Sequence, residues 1–147
     1  MSRRAPTGDA GSVLMLGVGL VVVCLMGLTA LVDVSAAFLQ RQQLLAVADA
    51  AAIAGAQAID LPAYYAEGAS AVTRLDATAV RGAVDRHLER AGARSAVPGL
   101  AVSRVWSDGD QVVVGLSSPL RLPFLSGLFG GSIHVESWAQ LGYRAAA

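Results

Sequence analysis

The stretch GSVLMLGVGLVVVCLMGLTALV, Gly11 to Val32, decides how the rest of the chain is read. It holds no charged residue, and nearly every position is apolar or glycine. As a helix it would be ~33 Å long at ~1.5 Å per residue, close to the ~30 Å hydrocarbon core of a bilayer. A buried core helix is the alternative. The remaining chain is too small to bury such a helix on all sides, so the stretch is expected to be transmembrane. The chain's hydrophobic fraction of 54% and mean hydropathy of +0.55 are concentrated here. Cys24, the single cysteine, lies inside it, which excludes an internal disulfide and a zinc knuckle and leaves a small hydrophobe.

The flanks of this stretch differ. Arg3 and Arg4 precede it with only Asp9 opposing them, whereas the far side opens with Asp33 and has no basic residue before Arg41. The positive-inside rule therefore predicts a cytoplasmic N-terminus in a single pass of the inner membrane, with the C-terminal part extracytoplasmic. A cleaved signal peptide is a rival, with Val34-Ser35-Ala36 as a small-residue site. The apolar run exceeds the usual ~7–15-residue signal core, and helical patterning continues through that site. The predicted organisation is a cytoplasmic segment 1–10, a transmembrane helix 11–32, an extracytoplasmic helical continuation 33–60, and a small α+β domain 61–147. Pro6, Thr7 and Gly8 argue against helix in the first segment.

Residues 33–60, DVSAAFLQRQQLLAVADAAAIAGAQAID, contain no proline and one glycine among strong helix formers. Val34, Phe38, Leu45, Ala48, Ala52, Gly55 and Ile59 form an apolar stripe, and Ser35, Gln42 and Asp49 a wet one. One rod is thus expected to pass from apolar all round to amphipathic. Ala46, Ala50, Ala54 and Ala58 make a row of small residues four apart, a candidate for close helix packing. High helix propensity explains the same row, and its partner is either another subunit or the chain's own sheet. Leu61-Pro62 should end the rod, with Tyr64, Tyr65 and Gly68 in a loop.

Further on, Asp76 to Ala91 reads as a second helix that buries Ala77, Val80, Val84, Leu88 and Ala91. It exposes Arg81, Asp85, Arg86, Glu89 and Arg90, and Gly92 is its expected cap. His87 borders its apolar face as a structural histidine. After Pro98-Gly99 the period becomes two. Strands are expected at Leu100–Trp106, Gln111–Ser117 and Ser132–Arg144, the first two joined by an Asp108-Gly109 hairpin turn. Val112, Val114 and Leu116 should face the core, with Ile133, Val135, Ala139, Leu141 and Tyr143. His134, Glu136, Trp138, Gln140 and Arg144 should face outward. The fold class is α+β: a long N-terminal helix plus a second helix packed on a small antiparallel sheet of about three strands. Between the last two strands, Pro119–Gly131 carries Leu120, Leu122, Phe124, Leu125, Leu128 and Phe129. It is read as a plug for the open end of the core, with a membrane or partner contact as the alternatives.

Catalytic patterns are missing from the sequence. It has no nucleophile elbow, phosphate-cradling glycine loop or His–Glu zinc helix. With two histidines, scattered carboxylates and zero formal net charge, it offers no metal set, no cofactor site, no small-molecule substrate site and no field for nucleic acid. Its eleven basic residues are all arginine, which fits a GC-rich coding sequence. A structural or interaction role is expected, not an enzyme.

Gly11-Ser12-Val13, then Leu31-Val32-Asp33-Val34, Phe38-Leu39-Gln40-Arg41-Gln42-Gln43-Leu44, and Ala48-Asp49-Ala50-Ala51-Ala52-Ile53-Ala54-Gly55-Ala56 resemble the N-terminal region of TadE/TadG-like proteins. These are bacterial Flp (tight adherence) pilus assembly proteins. The resemblance covers about residues 10–60 and is architectural beyond them. It implies a cell-envelope protein with a pilin-like plan and other pilus assembly or pilin-like membrane proteins as partners. Pilin-like members cut by prepilin peptidase carry a Glu at the fifth mature position. A cut at Gly11-Ser12, the candidate processing site, puts Leu16 there, and a cut at Gly8-Asp9 puts Val13 there. The resemblance therefore implies an accessory or minor pilin-like subunit that stays in the membrane. A bitopic envelope scaffold or binding protein unrelated to pili, and a secreted domain, are the competing readings.

Overall fold

The structure is a computed structural model that describes residues 9–58, 77–108, 111–128 and 130–140. The rod stops at Ala56, with Gln57 in a turn, four residues short of the expected end at residue 60; Leu61-Pro62, the loop at Tyr64 and Tyr65, the turn residue Gly109 and the strand end beyond Gln140 lie outside the described residues.

Helix α1 is one continuous helix, Asp9–Ala56, of 48 residues, or ~72 Å at ~1.5 Å per residue. Its first half touches nothing: residues 11–28 are all exposed, with Leu14 at 72% and Leu16 at 77%. Its second half carries the domain. Helix α2 (Ala77–Arg90) and the short α3 (Ala93–Ala96) are followed by strands β1 (Ala101–Ser107), β2 (Gln111–Pro119) and β3 (Ser132–Gln140). The strands form an antiparallel sheet in the order β1-β2-β3. This is the expected α+β plan, with a sheet of three strands.

One face of the sheet packs on α1 and α2. Val112, Val114 and Leu116 from β2 are fully buried with Leu44, Ala48, Ala51 and Ala52 of α1 and Val80, Val84 and Leu88 of α2. Alanines on α1 bring the rod close to the sheet. Gly55 brings it closest, since a Cβ there would lie 3.1 Å from Val112, 3.2 Å from Val84 and 3.3 Å from Val80. At the end of α2, Gly92 has φ 61°, and its N–H donates to Glu89 at 3.0 Å, as expected of the residue that stops this helix. Val80, Ala83, Val84 and Leu88 form the buried face, while Ala77 and Ala91 at its ends are exposed. In β1 a bulge between Val102 and Arg104 resets the alternation, so Val102 and Val105, three apart, both pack on the core.

The phase of α1 just above the apolar half departs from the sequence reading. Val34 and Phe38 are 68% and 59% exposed, whereas Asp33 is 3% exposed. The covered stripe runs Asp33, Ala37, Gln40, Leu44, Ala48, Ala51 and Gly55. Hydrophobicity alone places an aspartate on the wet side. Here the carboxylate is satisfied by backbone donors from a distant loop, so its burial is compatible with charge.

Candidate functional site

Among the described residues two surfaces stand exposed: the bare half of α1 with its collar, and the outward face of the sheet.

Helix α1 contains the one segment among the described residues that is long and apolar enough to cross a membrane, Gly11–Ala56, and its most apolar window is 0% buried. In water this bare rod would be unstable, because Val13, Leu14, Met15, Leu16 and their neighbours are exposed, with no partner among the described residues. In lipid the same surface is matched, and every backbone group is paired within the helix. Thr29 and Ser35 turn their hydroxyls back onto the carbonyls of Met26 and Leu31, both at 2.9 Å, so neither presents an open polar group. Cys24 is exposed on this half.

Asp33, the first charge after the apolar run, clamps the β2–β3 loop. Its Oδ1 accepts the Phe124 N–H and its Oδ2 accepts the Leu125 N–H, both at 3.0 Å. Seven residues up the rod, the Gln40 Oε1 accepts the Arg121 N–H at 3.1 Å. Higher still, the Ser137 hydroxyl donates to Asp49, and Gly55 meets Val112. The loop end of the sheet is therefore the end nearest the bare helix, and the hairpin between β1 and β2 is the far end. Hydrophobic patterning passes over Asp33 and Gln40. The sequence shows only that no cation stands within a helical turn of Asp33, so its own helix offers it no ion pair; it holds no such hint for Gln40.

On the outward sheet face, Trp106 and Trp138 are both paired with Val113, one from each side, and are 50% and 64% exposed. The next rung pairs Arg104 and Glu136 with Gly115 between them, and their side chains approach to 3.8 Å. Both partners are more than half exposed, so this ion pair adds little stability. His134 and Glu136 point outward here as alternation predicts, with His134 bound to the Ser132 hydroxyl at 2.7 Å. His87 is half-buried on α2.

Gly11 and Ser12 are exposed on the bare helix. Of the alanine row, Ala46 is exposed, Ala50 and Ala54 are half-buried at the margin of the covered face, and Ala58 is half-buried but lies past the end of α1, so the helical row is three residues long. The core itself uses Ala48, Ala51, Ala52 and Ala56. Among the described residues no group of His, Cys, Asp or Glu is placed to hold a metal ion.

No curated protein and no solved structure matches the chain. One family model does, over residues 11–58. That match spans about a third of the 147 residues and nearly coincides with α1 (Asp9–Ala56), the bare helix and the stalk above it. Over this rod, the chain is similar to the Tad family, the putative Flp pilus-assembly TadE/G-like proteins.

Proposed function

We propose that this protein is an accessory or minor pilin-like subunit of a Flp/Tad-type pilus assembly or secretion system, with a structural rather than a catalytic role. It is held in the inner membrane by residues 11–32, with its N-terminus in the cytoplasm and its α+β domain outside. The observation that carries the reading is the coincidence of the family match, residues 11–58, with the single rod α1. A rod of this kind suits assembly in lipid. Its bare half can meet other apolar helices of a pilus machine in the plane of the membrane, and its upper half holds a small folded head at a fixed height. Lack of Glu at either candidate cut favours retention in the bilayer over transfer to a filament core. The helical part of the row, Ala46, Ala50 and Ala54 at the margin of the covered face, is the proposed contact with a neighbouring helix, with Ala58 just past the helix end.

Deletion of the gene tests this reading. Cells lacking the protein should lose surface pili or their secretion, and a tagged copy should co-purify from detergent-solubilised membranes with other pilus components. Intact pili in a clean deletion strain would contradict it. The Trp106–Val113–Trp138 row gives the alternative, a bitopic binding protein, a specific surface, because exposed tryptophans on a rigid sheet are the usual anchors of a protein contact. Ser substitutions of both tryptophans that abolish one membrane-protein partner while pili remain normal would favour that second reading.

A further inference from the structure

We propose that the β2–β3 loop is a second membrane contact, an apolar foot that Asp33 holds against the lipid surface beside the transmembrane helix. The inference rests on the reading of residues 11–32 as a membrane span but not on pili or on orientation.

Position is the first argument. The uncharged run ends at Val32, so Asp33 stands where α1 leaves the hydrocarbon and enters the interfacial layer, about 5–7 Å thick on each side of a bilayer. Two consecutive backbone N–H groups of the loop, from Phe124 and Leu125, are bonded to its carboxylate. The loop tip is therefore fixed at the level of the lipid boundary by the same residue that marks that boundary.

Composition is the second. From Leu122 to Ile133 the chain has no charged residue. Despite that, the tip does not plug the core: Phe124 is 61% and Leu128 78% exposed, and the Leu128 N–H closes a turn on the Leu125 carbonyl at 3.0 Å. Met26, seven residues before Asp33 and therefore on the same face of α1, is 66% exposed, so apolar surface continues down the span below the foot.

Charge is the third. A carboxylate at a lipid boundary is costly when open. Asp33 is 3% exposed and accepts a backbone N–H on each oxygen, so the carboxylate is covered by the loop. The nearest cations, Arg41 on the rod and Arg121 at the base of the loop, are both exposed. Arg41 stands ~12 Å and Gln40, which holds Arg121, ~10.5 Å further along the helix axis than Asp33. At that height their long side chains reach down to lipid phosphates. An uncharged tip below and arginines above match the layers of a bilayer surface in order. A protein partner would require no such order.

Full-length protein with Cys24→Ser is labelled with an environment-sensitive dye at one introduced cysteine. It is then reconstituted in phosphatidylcholine–phosphatidylglycerol vesicles that contain two nitroxide lipids, one labelled near the head of the acyl chain to reach the foot and one near its end to reach Leu20 at mid-bilayer. The sites are Leu128→Cys on the foot, Leu20→Cys in the span, and Ile53→Cys on the same rod ~30 Å beyond Asp33. The foot label should be blue-shifted and quenched like the span label, and the Ile53 label should be neither. Adding Asp33→Ala should return the Leu128 label towards the Ile53 level while the Leu20 label stays quenched. A quenched Leu20 label with a Leu128 label that behaves like Ile53 overturns the foot and leaves the span intact. An unquenched Leu20 label overturns the span and the foot with it.

Discussion

At the residue scale, Asp33 and Gly55 bear more structural weight than their size suggests. Asp33 supplies both acceptors for the N–H groups of Phe124 and Leu125. Asp33→Ala leaves those two part-buried donors without partners, and an unsatisfied buried donor costs ~1–3 kcal/mol. Asp33→Asn keeps one acceptor but faces the second N–H with an amide donor, so it should fall between wild type and Ala. Denaturant unfolding in detergent micelles, followed by the tryptophans, measures both, and a stability unchanged in Asp33→Ala would remove the clamp. Gly55 sits where α1, α2 and β2 converge, with three valine methyls within 3.3 Å of the position a Cβ would take. Gly55→Val overpacks this point and should destabilise the domain by ~1–3 kcal/mol. Circular-dichroism melts of the same micellar protein check it; a rise in the midpoint would show that the valines can give way.

At the scale of elements, the contrast is between patterns that decide a fold locally and contacts that only the fold creates. The rod was legible because its two signals, an uncharged run and then an unbroken helix-forming stretch, are properties of neighbouring residues. Strands β2 and β3 were legible for the same reason: Val112, Val114 and Leu116 alternate with half-buried or small residues, and His134, Glu136 and Trp138 face outward as their period requires. In β1 the bulge at Ser103 shifts the period, which is why its pattern reads poorly. The apolar pattern places the lower phase of the stalk about one residue away from where the structure has it. Val34 and Phe38 score as core, yet the bond from Asp33 to a loop about ninety residues away decides which face is covered. Apolar count gives no information on such a bond. The β2–β3 loop reads as a plug, with membrane and partner contacts as alternatives, and the exposure of Phe124 and Leu128 goes against the plug for the same reason: the loop's direction depends on Asp33 and Gln40. Leu116, fully buried at the centre of β2, tests the packing between layers. Leu116→Ala should cost ~2–5 kcal/mol and lower the unfolding midpoint of the head without affecting membrane extraction.

At the scale of the whole molecule, three parts are joined along one axis: a bare helix, a collar at its exit, and a head clasped to the stalk. The head cannot move far from the membrane without breaking contacts at Asp33, Gln40, Asp49 and Gly55 in turn. A rigid standoff of this kind suits a component that presents a surface, such as the Trp106–Val113–Trp138 row, to a partner at a set height. Replacing both tryptophans with serine should leave stability within ~0.5 kcal/mol, as for most exposed positions, while reducing co-purification of the partner. As proposed above, the rod remains a membrane anchor in a pilus-assembly role and does not leave the bilayer as a processed subunit. Intact-mass measurement of the tagged protein, taken from washed membranes and from sheared pili of the same cells, tests that claim most directly. A membrane-bound species that retains residues 1–11 is expected, with none in the filaments. A species beginning at Ser12 in the filament fraction, or one beginning near Ala37 in the medium, would contradict it.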